Sequence, residues 1–325
     1  MTAAEARETN EAAMIAEMTA ILRRKMARDY AKGETRRDAH PKTTGLLRGR
    51  FEVEADLPKD LRVGLFAKPQ SFECWIRTSN SSGKLQSDVI GDARGFAIKL
   101  LAPISKGKAE VPLGQDFVLL SSPVMPLGTV ALFRDAVYYT IESSPLLLAA
   151  KFLLTGHIGA LLGLINLRIR PSSPLDIRYW STTPYRFGEG PAVKYSLLPT
   201  SRQRSELPES PGESYLSETM QAHLKAHVAS FDFCVQLHQD GMPIEDAAPE
   251  WDEKLSPFLK VATLHIPKQS FRTPNRDELA EVLSFSPGNA LPAHAALGGL
   301  NRARIKIYAT LAKFRHKRDG REDVA

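Results

Sequence analysis

The chain has 325 residues, 43% hydrophobic and 25% charged, which excludes a disordered or fibrous protein and fits one large domain or two small ones. Two cysteines, Cys74 and Cys234, with no CxxC spacing exclude a disulfide framework and read as buried free thiols of a reducing compartment. The net charge of +6 is spread along the chain, with modest clusters at 23–25 and 315–321. That spread argues against a nucleic-acid partner and reads as solubility, anionic ligands or a membrane surface.

The first residues, MTAAEARETNEAAMIAEM, hold neither a basic leader nor an apolar stretch, so secretion is not expected and a cytoplasmic protein is. Residues 3–32 predict an amphipathic helix, since Met14, Ile15, Met18, Ile21, Leu22 and Met26 recur at helical spacing. This stretch is expected to form an arm (1–34) packed on a main domain (35–325). From 51 to 120 the pattern shortens. Runs at 51–57, 61–67, 73–80, 94–101 and 116–120 have strand length and are parted by Gly, Pro, Asn and Asp. Further strand-like runs lie at 192–198, 230–239 and 260–267. Many short strands without regular helical crossovers predict an antiparallel sheet or barrel with helices, an α+β fold.

Residues 145–165, PLLLAAKFLLTGHIGALLGLI, are almost wholly apolar but interrupted by Lys151 and His157. They read as a buried helical hairpin or, more pointedly, as a patch that dips into a bilayer surface as a peripheral contact. A polar loop follows at 200–214, then helices at 215–228, 276–283 and 302–315. His223 and His227 have i,i+4 spacing but no third ligand nearby and read as a surface helix. Pro243–Asp246 with Trp251 reads as a loop and core anchor, and Gly298-Gly299 as the turn into the last helix.

The candidate chemistry lies at the two ends. Arg304 and Tyr308 are four apart and share a helix face, with Arg315 two turns further along the same side. A guanidinium favours a phenolate, and a ferric ion favours it far more, so this pair suits a phenolate ligand to iron. Near the other end, His40 precedes a strand in Arg37-Asp-Ala-His40-Pro-Lys. Its unperturbed pKa near neutrality suits a proton shuttle.

Five stretches, in this order, resemble the haem catalase family. Arg37 to Val53 reads RxxHxKxxGxxxGxFxV and resembles the segment of the distal histidine. Trp75-Ile-Arg77-Thr-Ser79 resembles its arginine- and serine-bearing strand. Asp92-Ala-Arg94-Gly95-Phe96-Ala97-Ile-Lys99 is similar to the RDxRGFAxK signature. Ser284 to Asn289 resembles the segment before the proximal helix, and Arg304-x-x-x-Tyr308 with Arg315 the proximal motif. The chain is shorter than full catalases and resembles the small catalase-related haem proteins, which include organic-peroxide peroxidases and the coral allene oxide synthase.

The resemblance implies an eight-stranded antiparallel barrel with helices outside and one buried haem b. It implies Tyr308 as the iron ligand and Arg304 as its charge partner. His40 would be the catalytic histidine, bonded to Ser79, and Arg37, Arg77 and Arg315 would hold the propionates. Ser121, in Leu119-Leu120-Ser121-Ser122-Pro123, stands where catalases place an asparagine, and the run VMPLGTVALFRD is longer than its counterpart. The implied function is a peroxidase that cleaves organic hydroperoxides with a reducing co-substrate. The alternatives are a fatty acid hydroperoxide isomerase or lyase, a true catalase, and a non-catalytic haem or lipid carrier. A homo-oligomer is left open.

Overall fold

The computed structural model describes residues 6–102 and 112–321. Eight antiparallel strands close into a barrel in sequence order. They are β1 (Thr43–Val53), β2 (Ser71–Asn80), β3 (Arg94–Leu101), β4 (Pro112–Leu120), β5 (Tyr179–Trp180), β6 (Val193–Pro199), β7 (Ala229–Leu237) and β8 (Phe258–Ile266). Closure is made by β1 against β8, from Arg50 opposite His265 to Val53 opposite Ala262. The expected antiparallel barrel is therefore present.

Strand alternation sorts the side chains. Phe51, Phe117, Tyr195 and Phe233 point inward and pack ring to ring, with centroids 4.6 Å apart for Phe117 and Phe233 and 5.0 Å for Phe51 and Phe233. The interior is thus filled by aromatic side chains, and any ligand must be held outside the wall. On the outer face of the same strands stand Arg77 and Ser79 of β2, Gly95 and Lys99 of β3, and Asp116 of β4.

Seven helices surround the barrel among the described residues: α1 (Glu11–Asp29), α2 (Val130–Glu142), α3 (Pro145–Leu154), α4 (Ile158–Asn166), α5 (Tyr215–Ala226), α6 (Pro274–Val282) and α7 (Gly299–Asp319). In α1, Ile15, Met18, Leu22 and Met26 pack with Val130 of α2 and Leu300, Ala303, Ile307 and Leu311 of α7. The first residues of the predicted helix, 3–5, lie outside the described residues. Arg302 of α7 clasps Glu11 at 2.7 Å and Glu245 at 2.8 Å. Gly298 opens α7 at φ 86°, and a side chain there would run into the Ile244 carbonyl, which accounts for the glycine turn. Trp251 is the expected core anchor, packed with Ala192, Met242, Ile244 and Leu297.

Several sequence expectations need correction. Residues 61–67 are not a strand but part of two short 3-10 turns, at 59–61 and 64–66. Leu61, Leu65 and Phe66 reach the barrel core at turn spacing, and the Leu65 N–H donates to His294 Nε2 at 2.9 Å. The long run after Pro123 is accommodated as α2, a helix the sequence reading lacked. Thr129 caps it, and the Glu8 carboxylate accepts from Val130 N at 2.6 Å. Residues 145–165 do form a helical hairpin, but only Leu148, Phe152 and Ala160 are buried, while Leu146 and Leu154 are 81% and 86% exposed. His223 is buried rather than on the surface, its Nε2 lying 3.2 Å from the Val228 carbonyl. No group of three or more His, Cys, Asp or Glu able to hold a metal occurs among the described residues. Both cysteines are free and buried, as expected.

Candidate functional site

The predicted residues gather on the outer wall of the barrel, between β2–β3 and the helices α6 and α7. His40 sits just before β1 at φ 56°, a left-handed conformation that costs a non-glycine residue energy. Two contacts hold it there. The Arg77 guanidinium donates to the His40 carbonyl at 2.7 Å, and His40 Nδ1 lies 3.0 Å from Ser79 Oγ. The ring is seated because its neighbour on β3 is Gly95. A Cβ at that position would come within 2.7 Å of Ser79 Oγ and 2.8 Å of His40 Nδ1. The glycine of the RGF signature therefore makes room for the histidine of the first motif, a link no spacing in the sequence announces.

His40 keeps part of its surface accessible while protein surrounds it. Burial and then the nearby charges of Arg77, Arg304 and Arg37 push its pKa down to about 3. The effect of Arg304 on His40, and of Tyr308 on Arg77, places the two end motifs within electrostatic reach of each other. His294, wholly buried beside Phe66, is likewise pushed down to about 4 by burial. The sign of the stability effect follows. The unfolded chain takes protons on these rings near pH 6.5, the folded chain only near 3 to 4. Stability is expected to fall as pH drops from 6.5 toward 4, read as a falling urea midpoint across that window. A midpoint constant across it would contradict the expectation.

On α7, Tyr308 is half-buried against the α1–α2–α7 cluster, with the Arg304 guanidinium 5.6 Å from its ring centre. Arg304 donates to Thr183 Oγ1 at 3.2 Å and Asn301 Oδ1 at 3.1 Å. Burial disfavours its charge, but Tyr308 and Tyr185 outweigh that and hold its pKa above the usual range.

The remaining arginines converge on one carboxylate that sequence reasoning missed. Glu281, at the end of α6, meets Arg36 at 3.0 Å, Arg37 at 3.4 Å and Arg315 at 3.8 Å. Arg37 also donates to the carbonyls of Ala280 at 2.8 Å and Leu283 at 2.7 Å, and Arg315 to that of Glu281. These are end-of-helix carbonyls, where cations are favoured. Arg77 is 6% exposed and finds only neutral acceptors, the His40 carbonyl and Thr43 Oγ1. Burial, then the charge of Arg37, lowers the pKa values of both Arg77 and Arg315, the latter to about 9. Burial raises Glu281, but four arginines overcome it and hold its carboxylate ionised.

The site is thus a buried excess of positive charge facing a phenol. Such an excess is costly unless anions enter. A macrocycle with two carboxylates and an iron that favours phenolate supplies those anions, so the donor set fits haem b.

Ser121 follows β4 and is engaged with Arg94 of β3. Its Oγ accepts from the Arg94 N–H at 2.8 Å, and its own N–H donates to the Arg94 carbonyl at 2.8 Å. The hydroxyl is therefore turned toward the strand.

Two further motifs meet away from the centre. Lys99 Nζ reaches both Asp116 oxygens, at 2.9 and 3.1 Å, and Asp116 Oδ2 also accepts from Ser286 N and Asn289 Nδ2, each at 2.9 Å. The lysine of the third motif thus anchors the fourth to the barrel.

Solved structures share this architecture. A fungal catalase superposes with a TM-score of 0.70 at 17% identity, covering 90% of this chain and 61% of its own. Catalase A from Saccharomyces cerevisiae gives 0.69 at 17%, covering 90% and 63%, and a bacterial catalase 0.66 at 16%, covering 93% and 62%. The chain thus has a catalase-like fold and spans less than two thirds of the length of these catalases. No family model matches the sequence, and no curated protein matches it.

Proposed function

We propose that this chain is a haem-dependent peroxidase that cleaves the O–O bond of organic hydroperoxides. The observation that carries the reading is the convergence of His40, Ser79 and Arg77 with Arg304 and Tyr308 inside one cluster of under-neutralised arginines. In this reading Tyr308 holds the iron, Arg304 is its charge partner, and Arg37, Arg77 and Arg315 take the propionates. Haem b, when bound, supplies a ferric centre that coordinates the hydroperoxide and furnishes electrons for O–O cleavage.

The chain's own residues then handle protons. In the tautomer this reading takes, with Nδ1–H facing Ser79 Oγ 3.0 Å away, His40 Nε2 is the acceptor, and the low pKa keeps the ring neutral at neutral pH. It takes the hydroperoxide proton and returns it to the leaving oxygen, giving an alcohol. A reducing co-substrate then supplies two electrons, with two protons, so that the second oxygen leaves as water and the ferric state is restored. Organic hydroperoxides are favoured over hydrogen peroxide because Ser121 Oγ is engaged by Arg94 N–H, in place of the longer asparagine amide. Analysis of the product, alcohol with oxidised donor or a rearranged oxylipin, separates this peroxidase from a hydroperoxide isomerase.

The test is the absorption spectrum of protein supplied with haemin, beside that of Tyr308→Phe. Stoichiometric high-spin ferric haem is expected in the wild type. In the variant haemin affinity should fall by at least about 100-fold, since even partners of a ligand cost 10–100-fold. A folded wild type without stoichiometric haem, or a variant that binds haemin equally well, overturns the proposal.

A further inference from the structure

The hairpin of α3 and α4 presents an apolar face that nothing among the described residues covers. Leu146 is 81% and Leu154 86% exposed, and Leu147, Leu153, Leu162 and Ile165 are each more than half exposed. The hairpin is nevertheless well built. Ser144 caps α3 through Leu146 N at 3.2 Å, with Pro145 at the first helical position. Thr155 Oγ1 ties the turn to the Lys151 carbonyl at 2.8 Å and to His157 Nδ1 at 2.9 Å. Its inner side, Leu148, Phe152 and Ala160, packs with Leu127 and Ala136. A folded unit thus turns one apolar face to the body and a second one away from it.

We infer that the α3–α4 hairpin docks on an anionic lipid surface, with its helices in the headgroup layer and its aliphatic side chains in the acyl boundary. Charge is the first support. No Asp or Glu occurs between Glu142 and Asp176, while Lys151, Arg168 and Arg170 do. Lys151 is paired with Asp135 at 2.6 Å. Arg168 and Arg170 are exposed, and no ion pair is made by either among the described residues. Two free cations beside an acid-free apolar face complement lipid phosphate and serine carboxylate.

Composition is the second support. The most exposed side chains are leucine and isoleucine, and no tryptophan stands among them. Protein interfaces draw their binding energy from Trp, Tyr and Arg, and Leu is under-represented there, whereas hydrocarbon accepts any aliphatic side chain. Length is the third. Helices of 10 and 9 residues are about 15 Å long, half the hydrocarbon thickness, and no described helix is long and apolar enough to cross a membrane. The geometry is that of lying on a bilayer. None of these residues is among those proposed to hold haem, so lipid docking stands apart from the proposed peroxidase activity.

The full chain is sedimented with vesicles of phosphatidylcholine and phosphatidylserine in equal parts, and with phosphatidylcholine alone. Wild type should pellet with the anionic vesicles and release as salt rises. Arg168→Glu/Arg170→Glu should weaken that binding by at least about tenfold. Leu146→Glu/Leu154→Glu should abolish it, with an unchanged circular dichroism spectrum. A wild type that does not pellet, or variants that pellet like the wild type, overturn the inference. So does a wild type that pellets with neither vesicle but forms a dimer that Leu146→Glu/Leu154→Glu dissociates, since the face would then serve a second copy of this chain.

Discussion

Replacing His40 with alanine is expected to slow hydroperoxide cleavage by roughly 10²–10⁴-fold, the margin of a positioned general acid–base group, while haem content stays near that of the wild type. The separation of effects follows from where the residue stands. His40 is fixed by the barrel wall through Ser79 and Arg77, and its ring is not among the groups proposed to hold iron or propionates. Single-turnover mixing with cumene hydroperoxide reads the chemical step without the co-substrate. The pH profile adds a second readout. A histidine of ordinary pKa would lose its basic form below about 6.5. Burial and the surrounding arginines hold His40 neutral down to about 3. Propionates that neutralise Arg37 and Arg77 would relieve only the smaller, electrostatic part of that shift. The wild-type rate should therefore show no inflection near pH 6.5. A rate unchanged in His40→Ala would show that the ring is structural, and an inflection at about 6.5 that His40→Ala removes would show that the ring keeps an ordinary pKa in the loaded protein.

The strands were legible because alternation is a local property, while their closure into an eight-stranded barrel was implied by the family resemblance. Phe51, Phe117 and Phe233 sit in runs whose period of two survives whatever lies outside them. The misreading of 61–67 has the same origin. Leu61, Leu65 and Phe66 are spaced by turns, and only His294, remote in sequence, shows why they bend. Strand β5 is two residues long and offers no period at all. At the site, residue type pointed to His40, Arg304 and Tyr308, and the family resemblance to Ser79 and Arg77; their meeting depends on the fold, which brings Ser79 and Arg77 against His40. Gly95 lay inside a recognised motif, but its service to His40 depends on β3 lying beside β2. Glu281 carried no signal, because its meaning comes wholly from Arg37 and Arg315 arriving from opposite ends of the chain. The α3–α4 face was read as apolar, but burial is decided by what packs on it, and nothing local records that.

Lys99→Met is expected to destabilise the fold by about 3–5 kcal/mol, the cost of stranding a buried charge. Lys99 and Asp116 have side chains 1% and 0% exposed, directly opposite each other on β3 and β4. Removing the ammonium leaves the Asp116 carboxylate with two donors, Ser286 N and Asn289 Nδ2, which cannot neutralise it. A matched apolar pair, Lys99→Met with Asp116→Leu, should recover much of the loss in urea denaturation, because well-packed hydrophobic replacements of buried ion pairs are often near neutral. A single variant costing less than about 1 kcal/mol would show that the pair is solvated in solution. The double variant also separates stability from positioning. Asp116 holds Ser286 and Asn289 in the segment that leads to α7, and Tyr308 rides on α7. If the carboxylate sets where that helix begins, haemin affinity should stay low in the double variant after stability has returned. If it serves the scaffold alone, the two should recover together.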